Sequence, residues 1–210
     1  MKLTLYIALV LLSTLNFAQS GKFSKAILKG KEMIAQSDSI DNYIAAANYF
    51  ERIKLKETNE WLPSYYHALA LTFGALKLEA DEKEDMLNTA LKSVEVGKKI
   101  AKNSELIALE GFIQMLRLSI DPAVRGRTLS PTIFQLFNAA LKYDENNPRA
   151  TLFLGQMHYG TAQFFGSSTE EACSYFEKAK ALYDSESPED TIFPTWGKKG
   201  LEEMVKNCNE

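Results

Sequence analysis

Apolar residues recur along this chain at steps of three and four, the spacing of one helix face. No stretch of the mature chain alternates apolar and polar positions for long, and glycine and proline fall between the periodic stretches. Leu87, Ala90, Leu91, Val94 and Ala101 form one such stripe and predict a helix over 82–101, with Asp81 and Glu84 as its capping box. Ser130-Pro131 and Asn147-Pro148 each set a capping residue before a proline at the first helical position. Ser168 and Glu171 have the spacing of a further capping box. The pattern predicts an all-α chain of nine helices, at 22–36, 40–56, 62–78, 82–101, 104–119, 131–143, 148–162, 169–183 and 195–208. Helix 104–119 is apolar nearly all round and is expected to be the most enclosed.

The first residues read as an address. Leu3–Leu15 carries no charge and follows Lys2. A helix of that length reaches about 20 Å, short of the roughly 30 Å of a bilayer core. The pattern predicts a signal peptide at 1–18, cut after Ala18, with Ser20 as the other small-residue option. An uncleaved anchor or a buried first helix is the competing reading. Residues 19–210 then form one domain in the periplasm or outside the cell, and no later stretch is long and apolar enough to span a membrane.

The spacing between helices carries more. Ile133, Phe137 and Ala140 are matched 39 residues later by Ala172, Phe176 and Ala179, with Leu154-Gly155 between them. Upstream, Ala46, Phe50 and Ile53 repeat the interval, and Ala90, Val94 and Gly97 repeat it more loosely. This resembles the tetratricopeptide repeat, a helix-turn-helix unit of about 34 residues. The resemblance covers about 40–183 and is strongest over 148–183. Stretches of the form DPxxRG, NPRAxxxLGQ and PxWG resemble exported repeat proteins of unassigned function. It implies a right-handed superhelical array of antiparallel hairpins, with 195–208 as a capping helix. The competing reading is an irregular bundle.

Cys173 and Cys208 fall at the same end of two helices expected to run antiparallel. In an oxidising compartment they read as a disulfide; two unrelated buried thiols are the other possibility.

Composition narrows the chemistry. The chain has 210 residues, 24 Lys+Arg against 27 Asp+Glu, and a net charge of −3, which disfavours a broad nucleic-acid face. With 2 Cys and 2 His there is little material for a metal centre, and no cofactor is expected. Phosphate loops, HExxH and GxSxG are missing from the sequence, and His67 and His158 stand on separate hairpins. The chain therefore reads as non-catalytic.

A working surface remains. The resemblance makes the first helix of each hairpin line a groove, which points to Tyr66, Phe73, Phe112, Met115, Arg149, Leu152, Gln156 and Tyr159. The same residues could pack the core instead. Two connections add loop candidates: Arg125 and Arg127 flank Gly126 and suit an anion or a neighbouring carboxylate, and Phe164-Phe165 offer aromatics to a partner or a local plug. The leading expectation is a scaffold that grips a protein or peptide partner of unknown identity. A small-molecule carrier using the same face is the alternative, and it predicts an apolar pocket near Phe112, Gln156 and Tyr159.

Overall fold

The computed structural model describes residues 21–186 and 191–208, so the expected signal peptide at 1–18 and its cleavage site lie outside the described residues. Among the described residues the chain is all-helical, with nine helices and no strand. They are α1 (21–36), α2 (Ile40–Lys54), α3 (Leu62–Ala75), α4 (Ala80–Ile100), α5 (Ser104–Ile120), α6 (Pro122–Tyr143), α7 (Pro148–Phe165), α8 (Glu170–Ser185) and α9 (Leu201–Cys208).

Local chemistry sets most boundaries. Asn147 caps α7 by accepting from the Ala150 amide at 2.8 Å, Pro148 opens the helix, and Gly166 closes it with φ 65°. Asn103 caps α5 in the same way, from the Leu106 amide at 3.0 Å. The expected capping boxes at Ser168–Glu171 and Asp81–Glu84 do not form; Thr169, without a side-chain cap bond, precedes α8. Glu79, not Asp81, precedes α4 and makes no side-chain cap bond, while Glu84 is taken up by Arg117 and Arg125. The largest departure is α6, which starts at Pro122 rather than 131. Asp121 accepts from the Val124 amide at 3.1 Å, so Asp121-Pro122 is itself a cap–proline pair upstream of Ser130-Pro131. Pro131 then lies inside the helix at an exposed position, where the carbonyl it leaves unpaired is within reach of water.

Successive helices pack against each other from α2 to α9, and α3 also touches α5, as α5 touches α7. Helices α3, α5 and α7 thus form an inner row. Of these α3, not α5, is the most enclosed, with Leu62 to Thr72 buried throughout.

One contact recurs between partners in a hairpin. A side chain on Gly30 would overlap the Phe50 ring, one on Gly111 the Phe137 ring, and one on Gly155 the Phe176 ring. All three phenylalanines are essentially fully buried. The bare glycine backbone lets each pair of helices approach until an aromatic ring fills the gap. Two main apolar clusters result, one over α1–α5 and one over α5–α9, and Phe112 and Trp196 border both.

The last helix, expected over 195–208, is shorter, because Pro194 and the positive φ of Gly197 and Gly200 (107° and 85°) keep the preceding residues from coiling. It packs on α8, and the disulfide between Cys173 and Cys208 joins them with Cα atoms 5.7 Å apart. The bridge closes a loop of 35 residues.

Two stability predictions follow from this packing. Gly111→Val should destabilise by about 2–3 kcal/mol through overpacking against Phe137. Gly126→Ala, with open space around it, should instead gain about 0.5–1 kcal/mol. Urea unfolding of both variants checks the contrast. Reducing the Cys173–Cys208 bridge should cost about 3–4 kcal/mol on chain-entropy grounds, read as a lower unfolding midpoint in the presence of a thiol reductant.

Candidate functional site

Between α8 and α9 the chain leaves the helical array and crosses the inner row. This strap, described from Thr191 to Gly200, is held mainly by its carbonyls. The Lys31 ammonium donates to the carbonyls of Thr191 and Phe193 at 2.6 and 2.8 Å. The Tyr66 hydroxyl donates to that of Ile192 at 2.8 Å, and Arg149 Nη1 to that of Trp196 at 3.2 Å. The donors therefore come from α1, α3 and α7.

Trp196 is the apolar anchor. Its ring lies 5.5 Å from Phe73, 5.5 Å from Phe112 and 5.8 Å from Phe153, centroid to centroid, and its indole N–H donates to the Tyr65 hydroxyl at 2.7 Å. Phe112 and Phe153 stack on each other at 4.5 Å, giving the indole a rigid bed. Gly197 packs against Tyr183 and Arg149, with no room for a side chain.

Beneath the strap sits a buried charge network. Arg149 is 3% exposed; it meets both oxygens of Glu105 and, at 2.6 Å, Glu186. Glu105 also accepts from Asn147 Nδ2 at 2.8 Å and from the Tyr65 hydroxyl at 3.2 Å. Burial alone would lower the Arg149 pKa, but the two carboxylates outweigh it and hold the guanidinium charged. Burial, reinforced by Glu105, raises the Tyr65 and Tyr66 hydroxyls well above the usual phenol range, so both serve as neutral donors.

The expected groove residues divide between two settings. Tyr66, Phe73, Phe112 and Arg149 meet the strap. Leu152 is buried in the second apolar cluster, and Met115 and Tyr159 pack against it. Gln156 reaches Met204 of α9 at 3.6 Å. The loop candidates are corrected: Arg125 and Arg127 lie on the first turns of α6, and Phe164 and Phe165 on the last turn of α7. Arg125 pins α6 to Glu84 of α4 at 2.6 Å, beside Arg117, while Arg127 is exposed. Phe164 and Phe165 stand 82% and 73% exposed. His158 lies between Phe134 and Tyr175, with Nδ1 3.2 Å from Glu171. His67 is buried, with Nδ1 2.7 Å from the Ser93 hydroxyl. Among the described residues, no group of three or more His, Cys, Asp or Glu is placed to hold a metal ion.

Two clefts are open to solvent. A cleft of about 590 Å³ opens beside the strap, walled by Trp61, Tyr143, Phe193 and Pro194 and floored by Glu105 and Arg149. A second, of about 530 Å³, lies between α1 and the end of α2. Neither is lined by Phe112, Gln156 or Tyr159.

Neither a protein-family model nor a curated protein sequence matches the chain. Among solved structures, the HusA haemophore from Porphyromonas gingivalis superposes with a TM-score of 0.76 over 90% of this chain and 92% of its own, at 21% identity. The two chains share a fold. That match runs over nearly the full length of both proteins.

The strap itself is what sequence reasoning missed. The groups by which it is held are its own backbone carbonyls, which leave no side-chain signature, although Pro194, Trp196, Gly197 and Gly200 within ten residues mark a stretch unfit for helix.

One measurement probes the Arg149 network and a second the buried His67. Arg149→Ala leaves Glu105 and Glu186 without their cation and should cost about 3–5 kcal/mol in urea unfolding. For His67, burial and then Lys54 lower the pKa to about 4 against the opposing pull of Glu51. The unfolded chain takes up that proton near pH 6.5 and the native one not until about 4, so stability should fall as pH drops between those values. His67→Gln should flatten the slope in thermal melts across that window.

Proposed function

We propose that this is an exported, non-catalytic binding protein that carries a small, flat, largely apolar molecule of the haem class. The observation that carries this reading is the strap. A peptide-gripping scaffold needs its inner face open, and here Trp196 and the carbonyls from Thr191 to Trp196 occupy that face. An outside peptide would have to displace a segment tied to its own chain, whose effective concentration far exceeds that of a free competitor. What stays accessible is cleft-sized and partly aromatic, which suits a small ligand.

The neighbour of the same fold is named a haemophore, a haem carrier, which supports haem as the first ligand to test. Export is supported by the Cys173–Cys208 bridge, a bond that persists in oxidising compartments, and by the leader-like first residues. We also read the hairpins as a degenerate tetratricopeptide-like array, supported by the glycine–phenylalanine contacts that recur at Gly30, Gly111 and Gly155.

Absorption titration of the mature protein with haemin and with iron-free protoporphyrin IX tests the proposal. The expected outcome is saturable binding with a Kd of about 1 μM or tighter, near −8 kcal/mol. Strictly linear addition spectra for both compounds would contradict it.

A further inference from the structure

The two clefts differ in charge, and the difference selects a ligand chemistry. Beside the strap, Glu105, Asp144 and Glu186 face Lys102 and Arg149, and Arg149 is already consumed by Glu105 and Glu186. That cleft is acidic or neutral toward a newcomer. The α1–α2 cleft is the reverse. Lys22, Arg52 and Lys56 line it against a single acid, Glu57, in a chain whose net charge is −3.

Its apolar part is equally distinct. Tyr49 is held by a hydrogen bond from its hydroxyl to the Ala26 carbonyl at 3.2 Å and by edge contact with Phe50 at 5.8 Å. Lys29 and Arg52 each sit 5.8 Å from the centre of its ring. Phe23 lines one side of the cleft, and Leu55 lines it while 69% exposed. Lys22, Lys25 and Lys29 are all exposed and follow one another at steps of three and four, so they share a face of α1. Lys54, by contrast, pairs with Glu51.

We infer that the α1–α2 cleft is a seat for an amphiphilic carboxylate, with the apolar body resting on Phe23, Tyr49 and Leu55 and the carboxylates meeting Lys22, Arg52 and Lys56. Arginine offers a carboxylate a paired set of donors, and the lysines add mobile point charges. In naming a site for the ligand, the inference rests on the carrier reading above. Haem, a flat ring bearing two carboxylates, satisfies this chemistry; so does a long-chain fatty acid.

The test titrates the full mature chain with protoporphyrin IX, its dimethyl ester and the fluorescent fatty acid cis-parinaric acid. The variants are Arg52→Glu/Lys56→Glu in this cleft and Lys102→Glu in the other, each checked for helicity by circular dichroism. The expected result is a loss of affinity for the free diacid of about tenfold or more in the double variant, through lost and reversed charge contacts. Lys102→Glu should bind like wild type, and the dimethyl ester should bind more weakly than the diacid and be indifferent to the double reversal. Diacid binding unchanged by the double variant overturns the seat while leaving the carrier reading intact. If wild type binds no porphyrin, the carrier reading for haem falls and parinaric acid decides the seat: binding sensitive to the double reversal upholds it, and no binding or insensitive binding overturns it.

Discussion

Residues from four separate helices converge on one irregular segment, and the form of the inner face depends on that convergence. Lys31, Tyr66 and Arg149 satisfy strap carbonyls, while Phe73, Phe112 and Phe153 bed the Trp196 indole. A segment without regular structure must find partners for its backbone groups elsewhere, and here the helices supply them. Arg149 couples this arrangement to the interior. It donates to the Trp196 carbonyl from within a network with Glu105 and Glu186, tying the ends of α5, α7 and α8 to the strap. The two apolar clusters meet at the same place, since Trp196 and Phe112 border both.

The array beneath is held by a simpler device. Where glycine on one helix faces phenylalanine on the next, the backbones approach closely and a ring fills the space. The arrangement recurs in three hairpins at different points of the chain, whose first helices α1, α5 and α7 lie with α3 along the strap. An extended strap can then meet them one after another. The disulfide between α8 and α9 closes the far end of that excursion.

Much of this was legible beforehand for physical reasons. The all-helical class follows from apolar steps of three and four, and Asn147-Pro148 marks a helix start because cap and proline act through local geometry alone. The Cys173–Cys208 bridge could be placed by counting outward from the turn between two antiparallel helices. Where local signals compete, the sequence is ambiguous. Asp121-Pro122 and Ser130-Pro131 are both valid starts, and tertiary pairing of Arg125 with Glu84 accompanies the upstream one. Of the groove residues that the repeat resemblance points to, Tyr66, Phe73, Phe112 and Arg149 meet the strap, while Leu152, Met115 and Tyr159 pack in the second apolar cluster. The strap left no signal, because a carbonyl acceptor looks the same at every position of a sequence. The charge contrast between the clefts was invisible for a related reason: Lys22 and Arg52 are thirty residues apart in the chain.

Trp196 reports on whether the chain covers its own inner face. In a Trp61→Phe variant, Trp196 is the single indole, since the chain holds 2 Trp. Acrylamide quenching of its emission reads the cover directly. Blue-shifted emission and quenching several-fold slower than in the urea-unfolded chain are expected, because the indole rests on three phenylalanines with its N–H bonded to Tyr65. Emission at the wavelength of free tryptophan, quenched as fast as in the unfolded chain, would contradict a covered inner face.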